Sequence, residues 1–127
     1  MRAYVDSDIL IGHLRGESKA LQFLNELQEN KEYEPWVGAI QRAEIVFFMH
    51  KDEEKGTLLL LSQFKTAPVD QDIVDAGGVI YRKWNPTHGT DINDALLAAT
   101  VKLTGGKIYG LNKKHYPMPE VIFEKPY

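Results

Sequence analysis

A chain of 127 residues, 43% hydrophobic and 26% charged, is long enough to build one domain around its own core without disulfide or zinc staples. It contains no cysteine, which excludes disulfides, thiolate metal sites and a catalytic thiol, and fits a reducing cytoplasm. A formal net charge of −3 argues against a protein that holds nucleic acid by bulk electrostatics, though not against a nuclease, because a carboxylate cluster carries negative charge that a bound cation offsets locally. No apolar run approaches the roughly 20 residues needed to cross a bilayer. The opening Met1-Arg2-Ala3-Tyr4-Val5-Asp6 meets an acid too soon for a secretory signal, so an intact cytosolic protein is expected.

In chain order, residues 2–5 read as a short buried strand. Asp6-Ser7-Asp8 leads into Ile9, Leu10, Ile11 and Leu14 at helical spacing, with Gly16 as a stop. Residues 17–30 form an amphipathic helix whose apolar face is Ala20, Leu21, Phe23, Leu24 and Leu27. A second strand is expected over 33–37, then a helix over 40–49 with Ile40, Ala43, Val46 and Phe47 inward. A charged loop (51–55) precedes a Leu-rich helix over 57–64. Residues 67–69 read as a short strand that Pro68 puts near a sheet edge or end. A helix capped by Asp70 or Asp72 should run to about Trp84 despite Gly77-Gly78, with 85–89 as a turn. Thr90 can cap a helix over 91–103, where Ala95, Leu96, Ala98 and Ala99 pack closely, and Gly105-Gly106 ends it. Strands are expected over 107–111 and 121–123. Strands alternating with helices predict right-handed βαβ units, a parallel sheet, and ligands beyond the carboxyl ends of its strands.

Three acids are candidates for a carboxylate metal site: Asp6, Glu44 and Asp94. Oxygen-only ligands of this kind suit Mg²⁺ or Mn²⁺, ions that above all serve phosphate chemistry. Asp6 is either a helix cap or a site residue, and its place at the end of the first strand favours the site. Asp8 points in a different direction on a regular helix and need not share the role. Glu44 runs straight into Ile45-Val46-Phe47-Phe48, where an unpaired carboxylate is costly. Its other reading is a salt bridge to Arg42 or a lysine. Asp91 and Asp94 share a helical face, Asp91 as a cap and Asp94 facing a cleft beside the packing run that follows it. Asn112 ends a strand at the same edge of the sheet, and His115 shows no ligand pattern with His13, His50 or His88. Arg15, Arg42, Arg82, Lys83, Lys113 and Lys114 are available for phosphate contact. Phosphate-loop and nucleophile-elbow motifs are absent.

Read together, Tyr4-Val5-Asp6-Ser7-Asp8-Ile9-Leu10-Ile11 with Leu14-Arg15-Gly16, Ala43-Glu44-Ile45, Asp94-Ala95-Leu96-Leu97-Ala98-Ala99-Thr100 and Leu111-Asn112-Lys113-Lys114-His115-Tyr116 resemble the PIN domain family, in particular its VapC-like toxin endoribonucleases. The resemblance spans nearly the whole chain. It implies a single α/β PIN-like domain over 1–127, with a central five-stranded parallel sheet flanked by helices on both faces. It also implies Asp6, Glu44 and Asp94 as metal ligands for Mg²⁺ or Mn²⁺, RNA as substrate with 5′-phosphate and 3′-hydroxyl products, a small antitoxin partner and a homodimer. Asn112 would position the water or the phosphate, and Asp94 would take a proton.

The chain departs from the family pattern in three places. Gly38 and Gln41 stand where many relatives have Ser and Thr, Gly110 where a Thr or Ser is common, and no fourth acid lies between Asn112 and His115. Asp91 is the candidate to supply that missing carboxylate. Two rival readings follow. Asp6-x-Asp8 after a first strand also suits a haloacid-dehalogenase-like phosphatase, and loss of the fourth acid suits a catalytically decayed PIN-like binding scaffold.

Overall fold

Short continuous apolar runs, separated by longer stretches of helical period, can bury both their faces only as the middle layer of an α/β sheet. The computed structural model describes residues 1–127 and has this arrangement. The chain runs β1 (Arg2–Val5), α1 (Ser7–Leu14), α2 (Ser18–Glu29), β2 (Glu34–Gly38), α3 (Ala39–Val46), α4 (Glu54–Leu61), β3 (Lys65–Ala67), α5 (Gln71–His88), α6 (Ile92–Thr104), β4 (Lys107–Tyr109) and β5 (Phe123–Glu124). Short 3-10 turns cover Lys51–Glu53 and Lys113–His115.

All strands are parallel, in the order β3-β2-β1-β4-β5. The chain builds outward from β1 through β2 to β3, then crosses back to lay β4 on the other side of β1. That reversal makes the gap between β1 and β4 the switch point where a doubly wound sheet opens a ligand crevice. Strand alternation splits the core in two. Ala3, Val5, Val37 and Tyr109 face α1 to α4, whereas Tyr4 and Ile108 face α5 and α6. Pro68 does follow an edge strand, β3.

Several boundaries differ from the sequence reading. β3 starts at Lys65 and β5 at Phe123, each two residues from the expected start. α4 begins earlier, at Glu54, so Thr57 is a buried residue inside the helix and not its first. Residues 85–88 are the last turn of α5 and not a loop. Gly89, at φ 69°, closes the helix by donating its N–H to Asn85 O at 3.0 Å, so the left-handed turn comes one residue after the Asn-Pro-Thr-His run. Gly77 is tolerated within α5 because a Cβ there would come 3.1 Å from Leu96 Cδ2, and its absence lets α5 and α6 lie close. The cap of α6 is Asp91, not Thr90. Thr90 is buried, and its hydroxyl donates to His115 O at 3.0 Å. α3 stops at Val46 and turns Gln41 and Ile45 inward, which leaves Phe47 and Phe48 each 79% exposed.

Candidate metal centre

The centre forms where β1, α3, α6 and the segment after β4 meet at the carboxyl edge of the sheet. Asp6 keeps extended backbone (φ −71°, ψ 155°), and its N–H still donates to Tyr109 O at 2.8 Å, so the sheet ladder fixes its position. The capping reading of Asp6 holds, and its second oxygen is left for another partner. Oδ1 caps α1 by accepting from Ser7 N at 2.8 Å, while Oδ2 accepts from the Tyr116 hydroxyl at 2.7 Å. The same hydroxyl lies 3.0 Å from Asp94 Oδ1 and can donate to it instead. One phenolic proton therefore serves two carboxylates.

Asp94 stands in the first turn of α6, where Asp91 Oδ1 accepts from Asp94 N at 2.7 Å. Its Oδ2 is buried without a hydrogen-bond partner. His115 Nδ1 lies 3.1 Å away, within ion-pair distance. Glu44, half-buried on α3, makes no salt bridge to Arg42, whose guanidinium reaches Thr66 Oγ1. Glu44 Oε1 accepts instead from Ser7 Oγ at 3.4 Å. Gln41, one turn earlier, is fully buried and donates to Asn93 O at 3.3 Å, clasping α3 to the start of α6.

Crowding acids out of water raises their proton affinity. Burial, then the charge of Asp8, push the Asp6 carboxyl up to about 7, against the Tyr116 and Ser7 hydrogen bonds that favour its ionised form. Burial, then Asp91, push Asp94 up to about 6, opposed by Tyr116 and His115. Glu44 is raised by burial and by Asp6. Burial and the two carboxylates hold the Tyr116 hydroxyl well above its usual range, so it stays a donor.

These groups fit a divalent cation. The donors are all oxygens, the carboxylates repel one another, and Asp94 Oδ2 is buried with no hydrogen bond and only His115 Nδ1, 3.1 Å away, of opposite character. As they stand, no three His, Asp or Glu side chains converge closely enough to hold one ion between them, so what favours a cation here is the chemistry of the donors and not a preformed ligand set.

The remaining candidates sort clearly. Asp91 is an exposed cap whose charge bears on Asp94. Asn112 is exposed, with its amide nitrogen 3.3 Å from His115 Nε2. Asp8 is spent on structure: Oδ1 accepts from Ile9 N at 2.7 Å and Oδ2 from Leu111 N at 2.9 Å. It is not free to act as the acid that a phosphatase of the Asp-x-Asp type requires. Tyr116 carried no assigned role in the sequence. No spacing rule links it to Asp6, 110 positions away.

The PIN domain family model matches residues 3–114. Ribonuclease VapC10 of Mycobacterium tuberculosis is 31% identical over 119 residues, 93% of this chain and 88% of that protein. Ribonuclease VapC19 of the same species is 31% identical over 115 residues, 90% of this chain and 91% of that protein. Among solved structures, a toxin–antitoxin complex from Klebsiella pneumoniae superposes with a TM-score of 0.79 at 24% identity, covering 98% of both chains. VapBC2 from Rickettsia felis, bound to a DNA fragment from its promoter, gives 0.78 at 19% identity over 98% of both. With the family model spanning β1 to the turn after β4 and the parallel sheet in place, the chain belongs to the PIN domain family.

Proposed function

We propose that this chain is a metal-dependent endoribonuclease of the toxin type, with Asp6, Glu44 and Asp94 as the ligands of a Mg²⁺ or Mn²⁺ ion. The observation that carries the reading is the Tyr116 hydroxyl between Asp6 and Asp94, which sets a buried carboxylate and a partly buried one side by side at the carboxyl edge of the sheet. The names of the ribonuclease relatives support the same activity. When bound, such an ion supplies positive charge for the phosphate and acidifies a water.

The chain supplies the rest. Tyr116 and Ser7 fix the rotamers of Asp6 and Asp94, and Asp94, whose proton affinity is already raised, accepts a proton from the attacking water. Asn112, exposed at the rim, orients the water or the phosphate. Phe48 lines the groove beside Glu44, and Phe47, just after α3, and Leu59, on α4, are likewise exposed. They supply apolar surface for the expected partners, a small antitoxin and a second copy of the chain. The neighbours titled as toxin–antitoxin or VapBC complexes support the antitoxin reading. No helix is long and apolar enough to cross a membrane, and the cytoplasm, where the RNA is, is the expected compartment.

The test is cleavage of a total RNA pool with Mg²⁺, Mn²⁺ or EDTA, beside Asp94→Asn. Metal-dependent fragments that vanish in the folded variant are expected. Full activity in Asp94→Asn would refute the ligand assignment, and no cleavage under any metal by a folded wild type would leave a binding scaffold.

A further inference from the structure

We propose that the groove between the carboxyl end of α5 and residues 113–123 is the track for the RNA strand on one side of the scissile phosphate. The inference rests on the ribonuclease reading and names the surface that its substrate uses. The groove encloses about 700 Å³, against about 310 Å³ for the one beside Glu44. Its ten lining residues include His88, Lys113 and Lys114 and not one acid, in a chain with 18 acids and 15 lysines and arginines. Lys113 and Lys114 are exposed, and neither makes an ion pair within the fold. Their ammonium groups are therefore uncommitted, whereas Lys65 and Lys107 are each paired to a glutamate.

Position gives the charge its meaning. One wall of the groove is Tyr116, whose hydroxyl touches both Asp6 and Asp94, so the basic track begins where the acidic centre ends. Tyr116 is itself buried, stacked on Phe123 with centroids 5.1 Å apart, so the apolar surface beside the cations is that of the exposed Ile122 and the partly buried Phe123. The wall is also held in register. Thr90, just beyond α5, donates to His115 O, and Asn85 donates to Thr90 O at 3.0 Å, so the lysine-bearing turn is tied to the helix opposite. The groove on the Glu44 side differs: it mixes Arg15 with Glu44 and Glu53 among apolar side chains. A polyanion is accommodated on the first side and repelled in part on the second. An acidic protein segment would meet the same lysines but has no reason to continue into the carboxylate centre.

The experiment uses the full chain carrying Asp94→Asn, so that RNA binds without being cut. Fluorescence anisotropy with a labelled single-stranded RNA pool is followed across a salt series. Lys113→Ala with Lys114→Ala should weaken binding on the order of tenfold at low salt and flatten the plot of log affinity against log salt by about 0.7 per lysine. As the control pair, Lys31→Ala with Lys102→Ala removes the same charge from exposed positions before β2 and at the end of α6, away from the groove, and should change little. Equal losses from both pairs, or none from the lysine pair, overturn the track. So does a lysine-pair loss that is matched against a poly-glutamate peptide, which would mark a general anion groove. Wild-type cleavage is measured alongside. If it persists with metal while the lysine pair has no effect on binding, only the track falls; if the wild type neither cleaves nor binds RNA, the ribonuclease reading falls with it.

Discussion

Replacing Asp6 with Asn should stabilise the metal-free protein at alkaline pH while abolishing cleavage. The Asp6 carboxyl is pushed up to about 7 in the fold from 3.8, chiefly by burial. In the unfolded chain it ionises near 3.9, so between about pH 4 and pH 7 the folded state holds a proton that the unfolded state has lost. Stability therefore falls as pH rises through that window and stays low above it. A shift of about 3 units at about 1.4 kcal/mol each sets a ceiling of ~4 kcal/mol. Asn keeps an oxygen for Ser7 N but must turn its amide toward the Tyr116 oxygen, so a gain of about 1 to 3 kcal/mol above pH 7 is expected, several degrees in Tm for a chain of this size. Near pH 4 the gain should disappear. A residual slope between about 4 and 6 should remain in the variant, because Asp94 is still raised to about 6. Urea unfolding in EDTA over a pH series measures both proteins directly. Saturating Mn²⁺ should then invert their order, since a ligand at a hundred times its Kd adds about 2.7 kcal/mol to the wild type alone. A variant less stable than wild type at about pH 8, or a gap that does not change with pH, would refute the electrostatic account.

Tyr116→Phe removes the hydroxyl that orients both carboxylates and should weaken Mn²⁺ binding about tenfold or more, read from the free-ion signal in electron paramagnetic resonance with far-UV circular dichroism unchanged. Gly110→Ser, which restores a residue common in relatives, should destabilise the fold by about 1 to 3 kcal/mol, because a Cβ there would come 3.0 Å from the Phe123 ring. Adding Phe123→Leu should recover part of that loss in the same urea titration, and no recovery would sink the steric explanation. Mn²⁺ titration should saturate at one ion per chain, since His115 and not a carboxylate faces Asp94 Oδ2.

The alternation of elements was legible because each amphipathic period has to bury its own face, and the charged faces of 17–30 and 71–84 mark the outer layer. The acids were legible for a related reason: a carboxylate at a strand end or running into an apolar stretch is costly unless something uses it. Local rules failed where tertiary contacts decide. Asn85-Pro86-Thr87-His88-Gly89 has the composition of a turn, yet α5 continues to His88 and only Gly89 turns. Phe47 is one helical turn from Ala43 and fits an inward face, yet α3 ends at Val46 and leaves it outside. Tyr116 was invisible as a site residue because its partners lie 110 and 22 positions away, and only the parallel crossover that sets β4 beside β1 brings them together.

The departures from the family pattern have physical counterparts in the fold. A side chain at Gly38 would collide with the amide of Gln41, which folds back over that position to reach Asn93 O, so the glycine and the glutamine form one exchange. Gly110 has ordinary backbone and needs no glycine for its φ. It is held small by the Phe123 ring and by Asp6 Cβ at 3.4 Å. That same ring stacks on Tyr116, so the space given up at 110 fixes the aromatic that bears the bridging hydroxyl. The two glycines thus leave room for Gln41, which clasps the helices of Glu44 and Asp94, and for Phe123, which backs Tyr116. Gln41 thereby holds α3 against α6, and Tyr116 fixes where the Asp6 and Asp94 carboxylates point. Decay by drift would instead have left the neighbouring space empty and the carboxylates free to relax into water, and neither is seen around Asp6, which remains 9% exposed.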